Sequence, residues 1–134
     1  MKKFIILSIL AIVLAIWFIA TAAHIGRPVS AFATFDYNDS HIEQPMEEND
    51  MLMVWRAVNG HHKSTNTIPS CGFSEDCSVT LVDKQGRETT VCFACDDCAN
   101  YYLLQEDAYT STTRLRGDKV KDMLRGYGFL FPCE

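Results

Sequence analysis

The chain contains 134 residues, which predicts one domain, and its hydrophobic content of 48% is ordinary for a globular protein. Its 17 Asp and Glu residues outnumber its 12 Lys and Arg residues, so the net charge at pH 7 is −5. Nucleic-acid-binding proteins usually have the opposite balance, because cations that contact phosphates supply much of their affinity. We therefore expect no nucleic-acid partner.

A long apolar segment lies near the N-terminus. It begins at Phe4, ends at Ala23 and contains no charged residue. As an α-helix, its 20 residues would span a bilayer core of about 30 Å. We expect a retained signal anchor over residues 1–23, because the segment exceeds the roughly 7–15 apolar residues of a signal peptide. The alternative is a cleaved signal peptide, with candidate cleavage sites after Ala22 and Ala33.

The basic residues around this segment predict its orientation. Lys2 and Lys3 precede it, whereas Arg27 is the first cation after it. The more basic side of a membrane helix stays in the cytoplasm. We therefore predict a single-pass protein of the inner (cytoplasmic) membrane with a periplasmic or extracellular C-terminal domain. If the segment is cleaved, the domain is secreted.

Residues 24–44 show no sustained hydrophobic period and carry scattered Ser, Asn, Asp, Gly and Pro. This composition predicts a linker between the apolar segment and an exported domain over residues 45–134. Aromatic and small residues over 32–37 predict a short strand within the linker.

The clearest helix of the exported domain is predicted over residues 45–60. Proline suits the first helical position, and glycine commonly ends a helix. Three acidic residues near the start would favour the positive end of the helix dipole. Apolar residues at i, i+3, i+4 and i+7 form one face, which consists of Met51, Val54, Trp55 and Val58.

The rest of the domain is predicted to combine strands and helices. Apolar residues alternate on both sides of a turn that contains Gly86, which predicts a β-hairpin over about 78–93. The later elements are a short helix over 96–107, a strand over 108–116, a helix over 118–126 with Val120, Met123 and Leu124 inside, and an apolar edge segment over 129–134. This order predicts an α+β fold in which three short helices cover an antiparallel sheet.

Six cysteines lie in the part of the chain that is predicted to be exported. Because disulfides persist outside the cytoplasm, an even number of cysteines there predicts a domain stapled by three disulfides. Two pairs share one spacing, which suggests the bridges Cys71–Cys77 and Cys92–Cys98 and leaves Cys95 for Cys133. Six cysteines allow 15 connectivities, and the sequence does not choose among them.

The stretch "CFACDDC" allows two functions other than structural disulfides. The pair Cys92-x-x-Cys95, between a predicted strand and a predicted helix, resembles the local layout of thioredoxin-like active sites. The resemblance implies a thiol–disulfide oxidoreductase, although Asp96 and Asp97 would raise the pKa of a neighbouring thiol. The Cys-x2-Cys spacing also suits a metal site, but oxidation competes with metal capture in an exported domain.

A basic cluster near the C-terminus is a candidate docking surface. The cluster is either a solvated helix face or a surface for an acidic partner or anionic headgroups. It consists of Arg114, Arg116, Lys119, Lys121 and Arg125.

The chain contains no Gly-x-Ser-x-Gly, His-Glu-x-x-His or phosphate-binding glycine loop, so no catalytic, cofactor or metal residue is assigned. We therefore expect a small binding module of the inhibitor, immunity or scaffold kind. Its expected partner is another envelope or membrane protein, and its attachment to the membrane is the segment over residues 4–23.

Overall fold

The structure is a computed structural model that describes residues 2–22, 24–37, 40–60, 63–64, 73–94, 100–105, 108–113 and 117–129. Three helices and seven strands lie in these ranges. In chain order they are α1 (Lys2–Thr21), β1 (Pro28–Tyr37), β2 (Ser40–Pro45), α2 (Glu48–Val58), β3 (Lys63–Ser64), β4 (Phe73–Asp83), β5 (Glu88–Ala94), β6 (Asn100–Gln105), β7 (Ala108–Thr113) and α3 (Gly117–Gly126). The predicted mixture of an N-terminal apolar helix with an α+β domain is confirmed.

The seven strands form one sheet in the order β2-β1-β4-β5-β6-β7-β3, and every neighbouring pair is antiparallel. The predicted hairpin is confirmed as the β4–β5 pair, in which Val79 lies opposite Val91. Its turn is closed by a hydrogen bond of 3.0 Å from the N–H of Asp83 to the carbonyl oxygen of Arg87. Gly86 has a φ of 76°, a backbone conformation that glycine adopts without strain.

The hydrophobic core lies between one face of the sheet and the two helices of the domain. Alternating residues of β1, β4 and β5 point to this face, because successive side chains of a strand point to opposite sides. Phe129 follows α3 and packs against Phe35 and Phe93, with ring centroids 5.9 and 6.3 Å away. The other buried members of the core are Ile25, Ala31, Ala33, Met51, Leu52, Val54, Val58, Val79, Leu81, Val91, Val120 and Leu124.

Both predicted helix faces are confirmed. On α2, Met51, Val54 and Val58 are buried, and Trp55 is partly buried against the core. On α3 the predicted inner residues either belong to the buried core or pack against it. The α2 helix begins three residues later than predicted, because Pro45 ends strand β2 instead of starting the helix.

Strands β1 and β2 occupy residues that the sequence predicts to be a linker. β1 pairs with β2 on one side and with β4 on the other. Ala31 and Ala33 of β1 are buried in the core. The short strand predicted over residues 32–37 is therefore part of β1, and the strands also include residues 28–31 and 40–44 of the predicted linker. Alanine gives a weak hydrophobic signal in a sequence, but a small side chain lets the backbone of β1 lie close to the helix that covers it.

The predicted short helix over 96–107 is wrong for residues 100–105, and its other residues lie outside the described ranges. Residues 100–105 form β6, in which Tyr101 lies opposite Phe93 and Tyr102 lies opposite Cys92. Consecutive aromatic residues fit a half-buried strand, and pairing with β5 and β7 outweighs the local helical pattern. The described part of the domain therefore contains two helices instead of three. The predicted edge segment lies outside the described residues from residue 130 onward.

A tyrosine side chain joins the two helices of the domain. The hydroxyl of Tyr127 donates a hydrogen bond of 2.6 Å to a carboxylate oxygen of Asp50 in α2. It also accepts a bond of 3.1 Å from the N–H of Glu47. Partial burial and the contact with Asp50 raise the pKa of Tyr127 above its ordinary value. This one hydroxyl therefore holds the end of α3 against the start of α2.

We expect Tyr127→Phe to lower the free energy of unfolding by about 1–2 kcal/mol, because it removes a hydrogen bond to a charged group. Chemical unfolding of the full chain in detergent would measure the change. In a double-mutant cycle, Asp50→Asn should cost little once Tyr127 is phenylalanine. Additive effects of the two changes would show that these side chains do not interact.

Candidate functional site

The first helix is exposed along its whole length. Residues 3–21 of α1 are apolar enough to cross a membrane, and none of them is buried against the rest of the protein. At 1.5 Å per residue these 19 residues are about 28 Å long, close to a bilayer core of about 30 Å. The helix is compatible with a membrane anchor or a signal sequence.

Side chains satisfy the carbonyl groups at the end of α1. The hydroxyl of Thr21 donates a hydrogen bond of 3.3 Å to the carbonyl oxygen of Phe18. The Nε2 atom of His24 donates to the carbonyl oxygen of Ile19 at 2.8 Å. The last carbonyls of a helix have no partner within the helix, so these bonds complete its end and turn the chain there.

The chain docks on the domain immediately after α1. We call residues 24–27 the junction segment. Ile25 is 7% exposed and belongs to the core, although only three residues separate it from Thr21. Its N–H donates a bond of 2.9 Å to the side-chain oxygen of Asn59, and its carbonyl oxygen accepts a bond of 3.0 Å from the indole N–H of Trp55. The end of α2 therefore holds both polar backbone groups of this residue.

The next residue of the junction segment lies against the β4–β5 turn. A Cβ atom on Gly26 would lie 2.6 Å from Oδ2 of Asp83. That carboxylate cannot shift easily, because it accepts bonds of 2.8 and 3.0 Å from the N–H groups of Gln85 and Arg87. The Nε of Arg87 donates a further bond of 2.8 Å to Oδ2. The close approach therefore requires glycine.

The charge of Asp83 follows from the same contacts. Burial of its carboxyl group favours a higher pKa, because it disfavours the charged form. The hydrogen bonds from Arg87 and Gln85 stabilise the charged form and outweigh burial, so the pKa of Asp83 is lowered. The carboxylate beside Gly26 is therefore ionised at neutral pH.

A groove opens beside the junction segment, where β1 begins and α2 starts. It encloses about 530 Å³, within the range of roughly 300–1,000 Å³ that is typical of ligand sites. Two cations in its wall, Arg27 and Lys84, are exposed, and neither forms an ion pair with a residue that the structure describes. The wall also includes Val29, Phe32, Met46, Glu48 and Met51.

The predicted basic docking surface is only partly exposed. Lys119 is exposed, but Lys121 is 3% exposed, because α3 turns it to the same side as the buried Val120 and Leu124. Arg125 forms an ion pair with Asp122. The other two members of the cluster, Arg114 and Arg116, lie outside the described residues.

Two of the six cysteines lie in described strands, on different faces of the sheet. Cys77 packs against the core and is half-buried. Cys92 is 1% exposed and follows the core residue Val91, so it points to the opposite face. The two are therefore not joined to each other. The remaining four, Cys71, Cys95, Cys98 and Cys133, lie outside the described residues.

The surroundings of Cys92 count against the oxidoreductase alternative. A reactive thiol has to be accessible, and Cys92 is buried within β5. Residues 100–105, predicted to belong to the helix after the Cys92-x-x-Cys95 pair, form a strand. Across the described ranges, no three His, Cys, Asp or Glu side chains are placed to hold a metal ion.

None of the contacts of the junction segment is predicted from the sequence. They join residues 30, 34 and 57 positions apart, and hydrophobic periodicity reports only neighbours. The sole local signal is glycine at position 26, just after the apolar segment. Protein-family models, curated proteins and solved structures provide no match to this chain.

We expect Gly26→Ala to lower the free energy of unfolding by about 1–3 kcal/mol, because the new methyl group overlaps a carboxylate that is held in place. Thermal unfolding of the full chain in detergent would measure the loss. The matched control is Gly126→Ala, since a Cβ atom there meets no atom within 4 Å. This control should leave stability unchanged or raise it slightly. Equal effects of the two substitutions would contradict the close approach to Asp83.

Proposed function

We propose that this protein is an exported binding module that stays anchored in the membrane and acts by contacting another protein of the cell envelope. The observation that carries this proposal is the docking of Ile25 on α2. A flexible linker would let a domain move away from its anchor. Here the chain belongs to the core at Ile25, four residues after the end of α1, so an anchored domain stays at the membrane surface.

The position of β1 supports anchoring over one of the two cleavage alternatives. Cleavage after Ala33 would remove residues 28–33 from the ladder between β1 and β4. It would also remove the buried side chains of Ala31 and Ile25 from the core. A processed domain of that length would lack part of its own sheet. Cleavage after Ala22 would leave the junction segment in place.

The free edge of the sheet supports a protein partner. β2 is an edge strand whose six residues are exposed except for the half-buried Ile42. An edge strand has unpaired N–H and carbonyl groups, to which an extended segment of another protein can add a strand. Proline, which weakens such pairing, occurs only at the last position of β2, and Glu43 is its only Asp, Glu, Lys or Arg residue.

We also propose that the six cysteines form disulfides in the exported domain. An oxidising compartment and an even number of cysteines support this proposal. Since Cys77 and Cys92 lie on opposite faces of the sheet, each needs a different partner among the other four cysteines. A bridge that closes a loop typically contributes about 2–4 kcal/mol to the stability of a domain.

Alkylation of the unreduced full chain under denaturing conditions, followed by mass spectrometry, should modify no cysteine, whereas alkylation after reduction should modify all six. The same intact mass should include residues 1–22, because we expect α1 to be retained. Several modified cysteines without reductant would contradict the disulfides. A mass that lacks the N-terminal residues would contradict the anchor.

Site-specific photo-cross-linking in cells tests the partner. Benzoylphenylalanine in place of His41 or Glu43 should give adducts with another envelope protein, because both positions lie on the free edge strand. The matched control is the exposed Glu88, which starts the central strand β5. A third position, Lys119, tests the exposed part of the predicted basic surface.

Adducts that are specific to β2 would support the proposed function. Adducts at Lys119 without adducts at β2 would place the partner on α3 and overturn docking at the edge strand. The absence of protein adducts at every position would overturn the binding module.

A further inference from the structure

We propose that the groove between β1 and α2 binds the headgroup of an anionic phospholipid from the bilayer that anchors α1. The inference rests on the membrane anchoring that is part of the proposed function, but it needs no protein partner. It adds a second contact between the chain and the membrane, made by the folded domain.

The groove lies within reach of the headgroup layer. If α1 spans the bilayer core, Thr21 lies at the boundary between hydrocarbon and headgroups, and the headgroup layer adds about 5–8 Å on each side. Arg27 is six residues further on, so it lies at most about 21 Å from that boundary. The true distance is shorter, because His24 bonds back to Ile19 and Ile25 docks on α2.

The cations of the groove suit a phosphate group. Arg27 offers the planar donor pattern that binds phosphate oxygens in pairs, and Lys84 offers a second positive charge. Both are exposed and have no ion-pair partner within the described ranges. The negative charge of Glu48 in the same wall offsets one of these two positive charges, so the groove has a net charge of one positive unit.

This local charge contrasts with the rest of the exported part. Without Lys2 and Lys3, the chain carries 10 basic against 17 acidic side chains, a net charge of −7. An anionic bilayer would repel most of such a surface. Two cations that have no ion-pair partner among the described residues lie beside the exit of α1, and they favour this part of the domain as the one that faces the headgroups.

The apolar wall distinguishes a lipid from a free phosphate ion. Val29 lines the groove two residues after Arg27 and is 63% exposed. Phe32, Met46 and Met51 line the groove as well. An inorganic anion would leave Val29 and the half-buried Phe32 and Met46 in contact with water. The glycerol and upper acyl carbons of a phospholipid would cover them while its phosphate meets the two cations.

Photo-cross-linking in nanodiscs tests the proposal with the full chain. Benzoylphenylalanine replaces Val29, and the discs contain phosphatidylcholine with or without phosphatidylglycerol. Mass spectrometry after irradiation counts the lipid adducts. The control position is Met53, an exposed apolar side chain of α2 that does not line the groove. We expect more adducts at Val29 than at Met53, with a preference for phosphatidylglycerol on the order of tenfold.

Two charge-matched double variants separate the groove from the overall charge. Arg27→Gln with Lys84→Gln should abolish the preference for phosphatidylglycerol at position 29. Arg56→Gln with Lys119→Gln removes the same charge from exposed residues outside the groove and should preserve the preference. Since all four side chains are exposed, we expect both double variants to fold, which circular dichroism checks.

Equal adducts with both lipids, or equal loss of preference in both double variants, would overturn the proposal. Protein adducts in cells at position 29 in place of lipid adducts would overturn it too and assign the groove to a protein interface. These results are distinct from a failure of the proposed function. That failure would appear as the absence of β2 adducts in cells or as an intact mass that lacks the N-terminal residues.

Discussion

The docking of Ile25 is the contact on which the arrangement of the molecule depends. A backbone N–H or carbonyl that enters a core needs a hydrogen-bond partner, because an unpaired buried polar group is costly. Trp55 and Asn59 supply both partners from positions i and i+4, which lie on the same side of a helix end. The side chain of Ile25 adds burial worth about 1.5–3 kcal/mol. The end of α2 is therefore both a wall of the core and the place where the segment that follows α1 is attached.

The β4–β5 turn adds a second constraint one residue later. Asp83 organises this turn through bonds to the backbone of residues 85 and 87, and its carboxylate also fills the space beside Gly26. The turn therefore limits the path of the chain between α1 and β1. Three elements that are far apart in the sequence, namely α1, α2 and the hairpin, meet within the four residues of the junction segment. A change in any of them should alter the path of the chain between α1 and β1.

The parts of the fold that the sequence predicts are those in which hydrophobic residues recur at a regular local spacing. α1, the β4–β5 hairpin and the buried faces of α2 and α3 all have one, and all are confirmed. β1 is predicted only in part, over residues 32–37, because its inward positions include Ala31 and Ala33, whose burial depends on a helix that follows them in the chain. β6 was missed because pairing with two neighbouring strands decides its conformation.

The candidate site was less predictable than the fold, for the same reason. Arg27 follows an apolar segment, and in the sequence it bears only on the orientation of that segment in a membrane. Lys84 belongs to a hairpin turn, and nothing local in the sequence brings it to the same groove. For Lys121 the sequence predicts too much exposure. A basic cluster predicts a solvated side chain, but the helical periodicity of α3 places Lys121 beside buried residues. Charge composition identifies candidates, and long-range contacts decide which of them share a surface.

Strand β1 places the two proposed surfaces next to each other. β2 pairs with β1 from Phe32 to Tyr37 and ends at Pro45, which has no N–H to continue the ladder. The N–H of Met46 makes one more bond, of 2.9 Å, to the carbonyl oxygen of Ala31 before the chain turns into α2. The groove opens where β2 stops, and the free edge begins there. A segment added to β2 would thus lie beside the residues that we propose to contact the membrane, which favours a partner whose binding segment is itself close to the bilayer.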